Sequence, residues 1–288
     1  MSHFDQMYYE TALDRWKRFT YVEDLPDELG PFRKLLEEYS KVPPNETDEL
    51  LVSTRKKLWE VAMYPCIGRW SFLNLRSMQD SHFKIAFDRL KQPNDPDTGS
   101  NSADTLLDIG CCIGQVLRKM VHDGIEPNRL FGTDLHPEFI SIGTELFNDE
   151  GCGLTFVAGD LLDPEDKALD KLDGKITLIH AANFFHLFTW EQQVKIGVRI
   201  VGFLKPGTND ALIFGRQIGT HRPRERDGKK KSFLHNQESF QKLWDEVGMK
   251  TETRWRVQVS ISEERRVDIP GFGEEDRYTR FGIYQCTV

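Results

Sequence analysis

Residues 106–115 read LLDIGCCIGQ, a short apolar run that ends in an acid, Asp108, and then turns through Gly110 and Gly114. The stretch GQVLRKMVHDG that follows has apolar residues at helical spacing, so the ten residues read as a buried strand entering a tight turn before a helix. Working outward, RLFGTDL, LTFVAGD, KITLIHAA and DALIFGRQ repeat the theme of TLLDIG, each an apolar run ending near a glycine or a polar residue. HPEFISIGTELFNDEG, WEQQVKIGVRIVGFL and QESFQKLWDEVG supply further amphipathic helices among them. Such alternation predicts an α/β fold, a mostly parallel sheet with helices on both faces, whose ligands sit at the carboxyl ends of the strands.

Upstream the texture is helical. DLPDELGPFRKLLEEYS places Phe32, Leu35, Leu36 and Tyr39 on one helix face, and DELLVSTRKKLWEVAMY places Leu50, Leu51, Thr54, Leu58 and Val61 on another. Pro65 marks a stop, and CIGRWSFLNLR and SHFKIAFDRLKQ suggest further helices. The polar stretch PNDPDTGSNSAD (93–104) reads as a linker. The expected division is a helical cap over 1–97 and a main domain over 98–288. The charged run RPRERDGKKKS (222–232) is expected to be a solvated surface loop.

Acidic residues (46) exceed basic ones (38), so the net charge of −8 disfavours a nucleic-acid or anionic-membrane partner. Cys66, Cys111, Cys112, Cys152 and Cys286 form neither a set of pairs nor a metal spacing, so no metal is expected and a reduced, cytoplasmic setting is. MSHFDQMYYETALDRW lacks the basic start and apolar stretch of a signal peptide, and no run is long enough to span a bilayer.

The turn itself selects a ligand. A dinucleotide fingerprint needs glycine at 112 and 115, where this chain has Cys112 and Gln115, and Asp108 beside the turn repels a pyrophosphate. A cationic amino group suits the acid instead. That is the requirement of S-adenosylmethionine, and Asp108, Gly110, Cys112 and Gly114 resemble the first motif of the class I methyltransferases, Asp/Glu-x-Gly-x-Gly-x-Gly. Cysteine is small enough to stand at 112 if its φ is negative. Asp134, 26 residues after Asp108, ends the second strand and is placed to accept ribose hydroxyls. Asp160 is placed for the adenine amine, with the Leu161 N–H for a ring nitrogen; Leu135 and Ala181 complete the cofactor set at neighbouring strand ends. Singly, each acid has another reading: Asp108 as a helix cap, Asp134 as the opening of a turn toward Pro137.

At the fourth strand end, ITLIHAANFFHLFTWEQQ brings His180, Asn183, Phe185 and His186 together with further aromatics, and Asn183, Phe185 and His186 are expected to line the acceptor. His180 reads as a core histidine within the strand, and His186, just past it, as an orienting group or base. Arg216, at the fifth strand end, is read equally as the partner of a substrate carboxylate or as an interdomain ion pair. Tyr64, Arg69 and Trp70 read either as a lid over the acceptor or as ordinary helix packing.

The segments YPCIGRWSFL (64–73), LLDIGCCIGQVLRKMVHDG (106–124), ANFFHLFTWEQQ (182–193) and LIFGRQIG (212–219) together resemble the fungal methyltransferases of meroterpenoid and related secondary-metabolite pathways. The resemblance implies a Rossmann-like seven-stranded fold, S-adenosylmethionine as cofactor, and O-methylation, frequently of a carboxyl group on a polyketide–terpenoid intermediate. It also implies a homodimer. Two rivals stand beside it: a phenol or hydroxyl methyltransferase with His186 as obligatory base, and a noncatalytic protein that keeps the cofactor fold.

Overall fold

The computed structural model of the chain describes residues 14, 16–92, 104–226, 231–265 and 272–287. Beyond helical residues at 16–20, α1 (Gly30–Glu38), α2 (Thr47–Val61), α3 (Pro65–Gly68) and α4 (Ser81–Lys91) precede the first strand among the described residues. Then come β1 (Leu106–Ile109), α5 (Gln115–His122), β2 (Leu130–Asp134), α6 (Pro137–Phe147), β3 (Thr155–Ala158), β4 (Leu178–His180), α7 (Trp190–Gly202) and β5 (Leu212–Thr220). A short hairpin, β6 (Arg224–Arg226) with β7 (Ser232–Leu234), leads to α8 (Gln237–Thr251), and two long strands close the chain, β8 (Arg254–Arg265) and β9 (Asp276–Cys286).

Seven strands form one sheet in the order β3-β2-β1-β4-β5-β9-β8. β1 to β5 are parallel, and β9 runs antiparallel between β5 and β8. This is the Rossmann-like class I methyltransferase fold expected from the sequence, with an N-terminal helical region. The strand order reverses between β1 and β4, the place where open α/β sheets bind ligands. Asp108 and His180 face each other there, in register across the two strands.

Side chains alternate across the sheet, so each strand feeds two cores. Leu107, Ile109, Ile179 and Ile213 enter a core with α7 and α8, while Leu106, Leu178, Leu212 and Phe214 enter a second with Phe83, Ala86 and Leu90 of α4. α1 and α2 bury Phe32, Leu35, Leu36, Leu51 and Leu58 against Phe139, Leu146 and Phe147 of α6 and Ile113 of the turn. The N-terminal helices therefore share cores with the sheet elements.

Two expectations change. The helix read over CIGRWSFLNLR is only the four residues of α3 followed by 3-10 turns at 71–73 and 76–79, because Trp70 adopts a left-handed φ of 61° that ends regular helix. The basic run 222–232 is not simply a solvated loop: its two ends pair as β6 and β7, and Arg224 Nη2 meets Asp276 Oδ2 at 2.6 Å, a carboxylate with no exposed surface. Residues 227–230 of that run, and 93–103 of the expected linker, lie outside the described residues.

At the β7–α8 corner His235 is buried among Trp190, Phe233 and Phe240, its Nδ1 3.0 Å from Ser239 Oγ. Burial pulls its pKa down from 6.5 to about 3. The unfolded chain therefore takes up a proton that the folded chain refuses, and stability present above about pH 6.5 is lost as the pH falls, by up to ~1.4 kcal/mol for each pH unit. Thermal melts of His235→Gln should show a shallower decline than the parent between about pH 6.5 and pH 5; equal slopes would remove His235 as the cause.

Candidate active site

The turn after β1 passes through left-handed φ three times, at Gly110 (68°), Cys112 (51°) and Gly114 (63°). The negative φ expected for Cys112 is thus corrected. The conformation is imposed by β2: the Gly110 and Cys111 N–H groups both donate to the Thr133 carbonyl, and the Cys112 N–H donates to Asp134 Oδ2 at 2.9 Å. A non-glycine residue held this way costs roughly 1–2 kcal/mol. At Gly114 a Cβ would stand 2.6 Å from Arg118 Nη1 and 2.8 Å from the Phe156 ring, so glycine is required by space as well as by φ.

Arg118 locks the turn from behind. Its side chain, 1% exposed, donates from Nη1 to the Ile113 carbonyl at 2.6 Å and makes a two-pronged pair with Asp149 at 2.7 and 2.8 Å. Tyr39 of the N-terminal region donates its hydroxyl to the same carboxylate. Burial pushes the Cys111 and Cys112 thiols well above their ordinary range and Cys66 to about 11, so all three stay protonated at neutral pH.

Three acids line the strand ends as the sequence places them. Asp108, its side chain 6% exposed, accepts from His180 Nδ1 at 2.7 Å, and no other described residue hydrogen-bonds to it. Asp134 accepts from the N–H groups of Cys112 and His136, yet burial still holds its carboxyl above the usual carboxylate range. Asp160 Oδ1 accepts from the Leu162 N–H, closing a turn that leaves Leu161 half-buried. Leu135 is 53% exposed beside Asp134. Three carboxylates, a turn without a basic side chain and an uncommitted Asp108 oxygen suit a cationic, phosphate-free ligand such as S-adenosylmethionine.

Past β4, Asn183 takes a left-handed φ of 55° and donates its N–H to the Arg216 carbonyl, which turns the chain so that Asn183 is exposed. Phe184 swings over the turn, its ring 3.2 Å from where a Cβ on Gly110 would stand. His186 is 6% exposed, its ring beside Phe272. Arg216 Nε lies 3.6 Å from Asp80 Oδ2, and Arg280, opposite Arg216 in the β5–β9 register, pairs with the other oxygen of the same buried carboxylate. Neither Asp80 nor Arg280 carried a sequence signal; only the antiparallel register brings the two arginines together.

At other positions the structure chooses between the readings or departs from them. Phe185 has no exposed surface and packs on Phe240, Trp244 and Phe281, so its side chain is core and does not reach an acceptor. Trp70 is 2% exposed, its Nε1 donating to the Val22 carbonyl and its ring under Arg55, which makes it core of the N-terminal helices. Arg69 donates to the Phe19 carbonyl. Ala181 is sealed between strands, its N–H committed to the Phe214 carbonyl, and presents no surface to a ligand. Tyr64 stands at the β2 end, its hydroxyl 3.0 Å from His136 Nε2, with the nearby Asp134 charge adding to burial in raising its pKa. That is the β2 end of the sheet, with β1 and β4 between it and β5, which carries Arg216. Among the described residues no group of His, Cys, Asp and Glu gathers as a metal site, and no helix is long and apolar enough to cross a membrane.

Two outcomes follow from the turn. Cys112→Gly should unfold at the parent temperature or above it, whereas Cys112→Val, β-branched at a left-handed position, should melt several degrees lower; a marked loss in the glycine variant would show that the thiol matters for packing. Asp149→Ala leaves the Arg118 charge buried without its partner and should lower the unfolding free energy by about 3–5 kcal/mol in denaturant titration. A loss below about 1 kcal/mol would mean that the pair is dispensable.

Family models and curated relatives identify the family. Residues 20–73 match the meroterpenoid methyltransferase N-terminal domain and residues 106–207 a methyltransferase domain. The chain is similar to O-methyltransferase phiE of a fungal species (strain ATCC 74256), 40% identical over 85% of this chain and 80% of that one. It is also similar to O-methyltransferase atr3 of Stereocaulon alpinum, 34% identical over 87% and 70%, and to the asnovolin E/chermesin D methyltransferase nvfJ of Aspergillus novofumigatus, 30% over 79% and 80%. Among solved structures, magnesium protoporphyrin IX methyltransferase from Synechocystis with bound SAH aligns over 98% of this chain and 97% of that one, at 11% identity and a TM-score of 0.46. With its sheet order, its acid-flanked turn and relatives of this identity over most of both chains, the protein belongs to the S-adenosylmethionine-dependent methyltransferases, among the fungal O-methyltransferases of secondary metabolism that carry the meroterpenoid methyltransferase N-terminal domain.

Proposed function

We propose that this enzyme methylates a carboxyl oxygen of a hydrophobic polyketide–terpenoid acid to give a methyl ester. The observation that carries the reading is the pair Arg216 and Arg280 sharing the single carboxylate of Asp80, two cations against one anion on the acceptor side of the switch point. The surplus positive charge favours an incoming carboxylate, which a guanidinium binds through parallel N–H groups. The exposed Asn183, the half-buried Phe184 and Phe188, and Leu187, 51% exposed, supply a mixed polar and apolar rim.

The cofactor, when bound, supplies a methyl group on a sulfonium, already activated for in-line displacement. On the protein side, Asp108 would receive its ammonium, Asp134 the ribose hydroxyls, Asp160 the adenine amine and the Leu161 N–H a ring nitrogen. Gly110 and Gly114 would let the ligand approach the backbone, Cys112 donates its N–H to fix Asp134, and the exposed Leu135 would supply apolar surface for the adenine. A carboxylic acid is ionised at neutral pH, so the acceptor needs alignment more than deprotonation. His186 orients it, Arg216 holds its charge, and the helical region 1–97 covers the site, with Tyr64 and Arg69 at its edge. The protein works as a homodimer in the cytoplasm, without a nucleic-acid partner.

Incubation with labelled cofactor and a panel of terpenoid acids, aromatic acids and phenols, followed by mass analysis, should give methyl esters from the acids. Methyl ethers alone would overturn the reading. Arg216→Met should raise KM for an acid about tenfold with kcat little changed, as expected for lost ground-state binding. His186→Ala should leave ester formation within about threefold of the parent; a loss of about 100-fold confined to phenols would favour a hydroxyl acceptor with His186 as base.

A further inference from the structure

His180 is a polar residue in an apolar strand. It ends β4 after Leu178 and Ile179, both without exposed surface, and is itself 1% exposed. Its ring packs edge-on to Phe83 and tilted against Phe214, at 5.6 and 5.3 Å. Nε2 is buried with no hydrogen-bond partner, a desolvation cost that a leucine or phenylalanine there would avoid. What the histidine does make is the 2.7 Å bond from Nδ1 to Asp108 Oδ1. An ionised carboxylate only accepts, so the proton of that bond sits on Nδ1. No other described residue hydrogen-bonds to the Asp108 carboxylate, so its orientation depends on His180 alone.

We infer that His180 is a positioning residue for the cofactor: its Nδ1–H pins Asp108 Oδ1, leaving Oδ2 directed at the amino group of S-adenosylmethionine. The inference rests on the reading that Asp108 receives that ammonium. The two residues face each other across the β1–β4 switch point, so the anchor and the acid it holds come from the two strands between which the ligand must lie. A carboxylate held at the ligand's charge avoids the rotamer entropy of being ordered on binding.

The test compares two ligands by calorimetry: S-adenosylhomocysteine, which carries the amino acid, and 5′-methylthioadenosine, which keeps the adenosine thioether and lacks the amino acid. His180→Phe removes the donor and keeps a ring; it should weaken S-adenosylhomocysteine about tenfold or more and leave 5′-methylthioadenosine within about twofold. His180→Asn, whose amide N–H falls near the position of Nδ1, should bind S-adenosylhomocysteine within about threefold of the parent. His180→Gln, with its amide nearer Nε2, should behave as the phenylalanine variant does and serves in its place should that one not fold. Equal weakening of both ligands, or no rescue by asparagine, would overturn the inference. Asp108→Asn separates the two layers: if it leaves S-adenosylhomocysteine affinity unchanged, the assignment of Asp108 fails and the role of His180 with it; if it weakens binding while both donor-removing variants do not, only the role of His180 fails.

Discussion

Arg118 reaches three places from the first turns of α5. One nitrogen holds the Ile113 carbonyl inside the cofactor turn, two more grip Asp149 just past α6, and the guanidinium carbon lies 4.7 Å from the Phe147 ring centre and 5.1 Å from that of Phe156. Asp149 in turn receives Tyr39 from the N-terminal region. A charge with 1% exposure is tolerable only when it is paired and hydrogen-bonded, so these partners are obligations as much as stabilising contacts. Through them the position of the turn, the end of α6 and the seat of the N-terminal helices become one geometric condition. A five-residue turn with three left-handed positions would otherwise be among the more pliable parts of the chain.

Around that joint the site divides by charge. At β1, β2 and β3 the strand ends carry Asp108, Asp134 and Asp160, and the N–H groups of Gly110, Cys111 and Cys112 are spent on Thr133 and Asp134. A phosphate would meet negative charge there. At β5 and β9 the sign reverses, with two arginines on one buried aspartate. The boundary between the halves is the β1–β4 switch point, where Asp108 and His180 meet and Phe184 crosses over Gly110. The sheet thus carries carboxylates on one side of the switch point and paired arginines on the other.

Much of this was legible from residue order. Strands β1 to β5 and helices α5 to α8 each announced themselves by an apolar run or an amphipathic period, since parallel strands buried on both faces must be continuously apolar. The acids stood where those runs ended. The C-terminal pair was not readable in the same way: RWRVQVSISEER and DRYTRFGIYQC alternate polar and apolar residues, and nothing in them states that β9 inserts between β5 and β8. Around Trp70 helical periodicity misled, because a single left-handed residue interrupts a stretch whose apolar spacing is otherwise helical.

Sequence by itself determined the class of fold, the order of the strand-end acids and the preference for a cationic ligand, because each depends on residue type and on neighbours close along the chain. Tertiary structure decided what the side chains at those positions are joined to. His180 is 72 residues from Asp108, Arg280 is 200 from Asp80, and Asp149 is 110 from Tyr39. Such pairings are set by sheet register and by the packing of helices across it, and local periodicity carries no record of either. The same physics explains why Phe185 and Trp70, aromatic and close to the site in sequence, turned inward: large apolar rings go where the core can enclose them, and only the assembled fold fixes where that is.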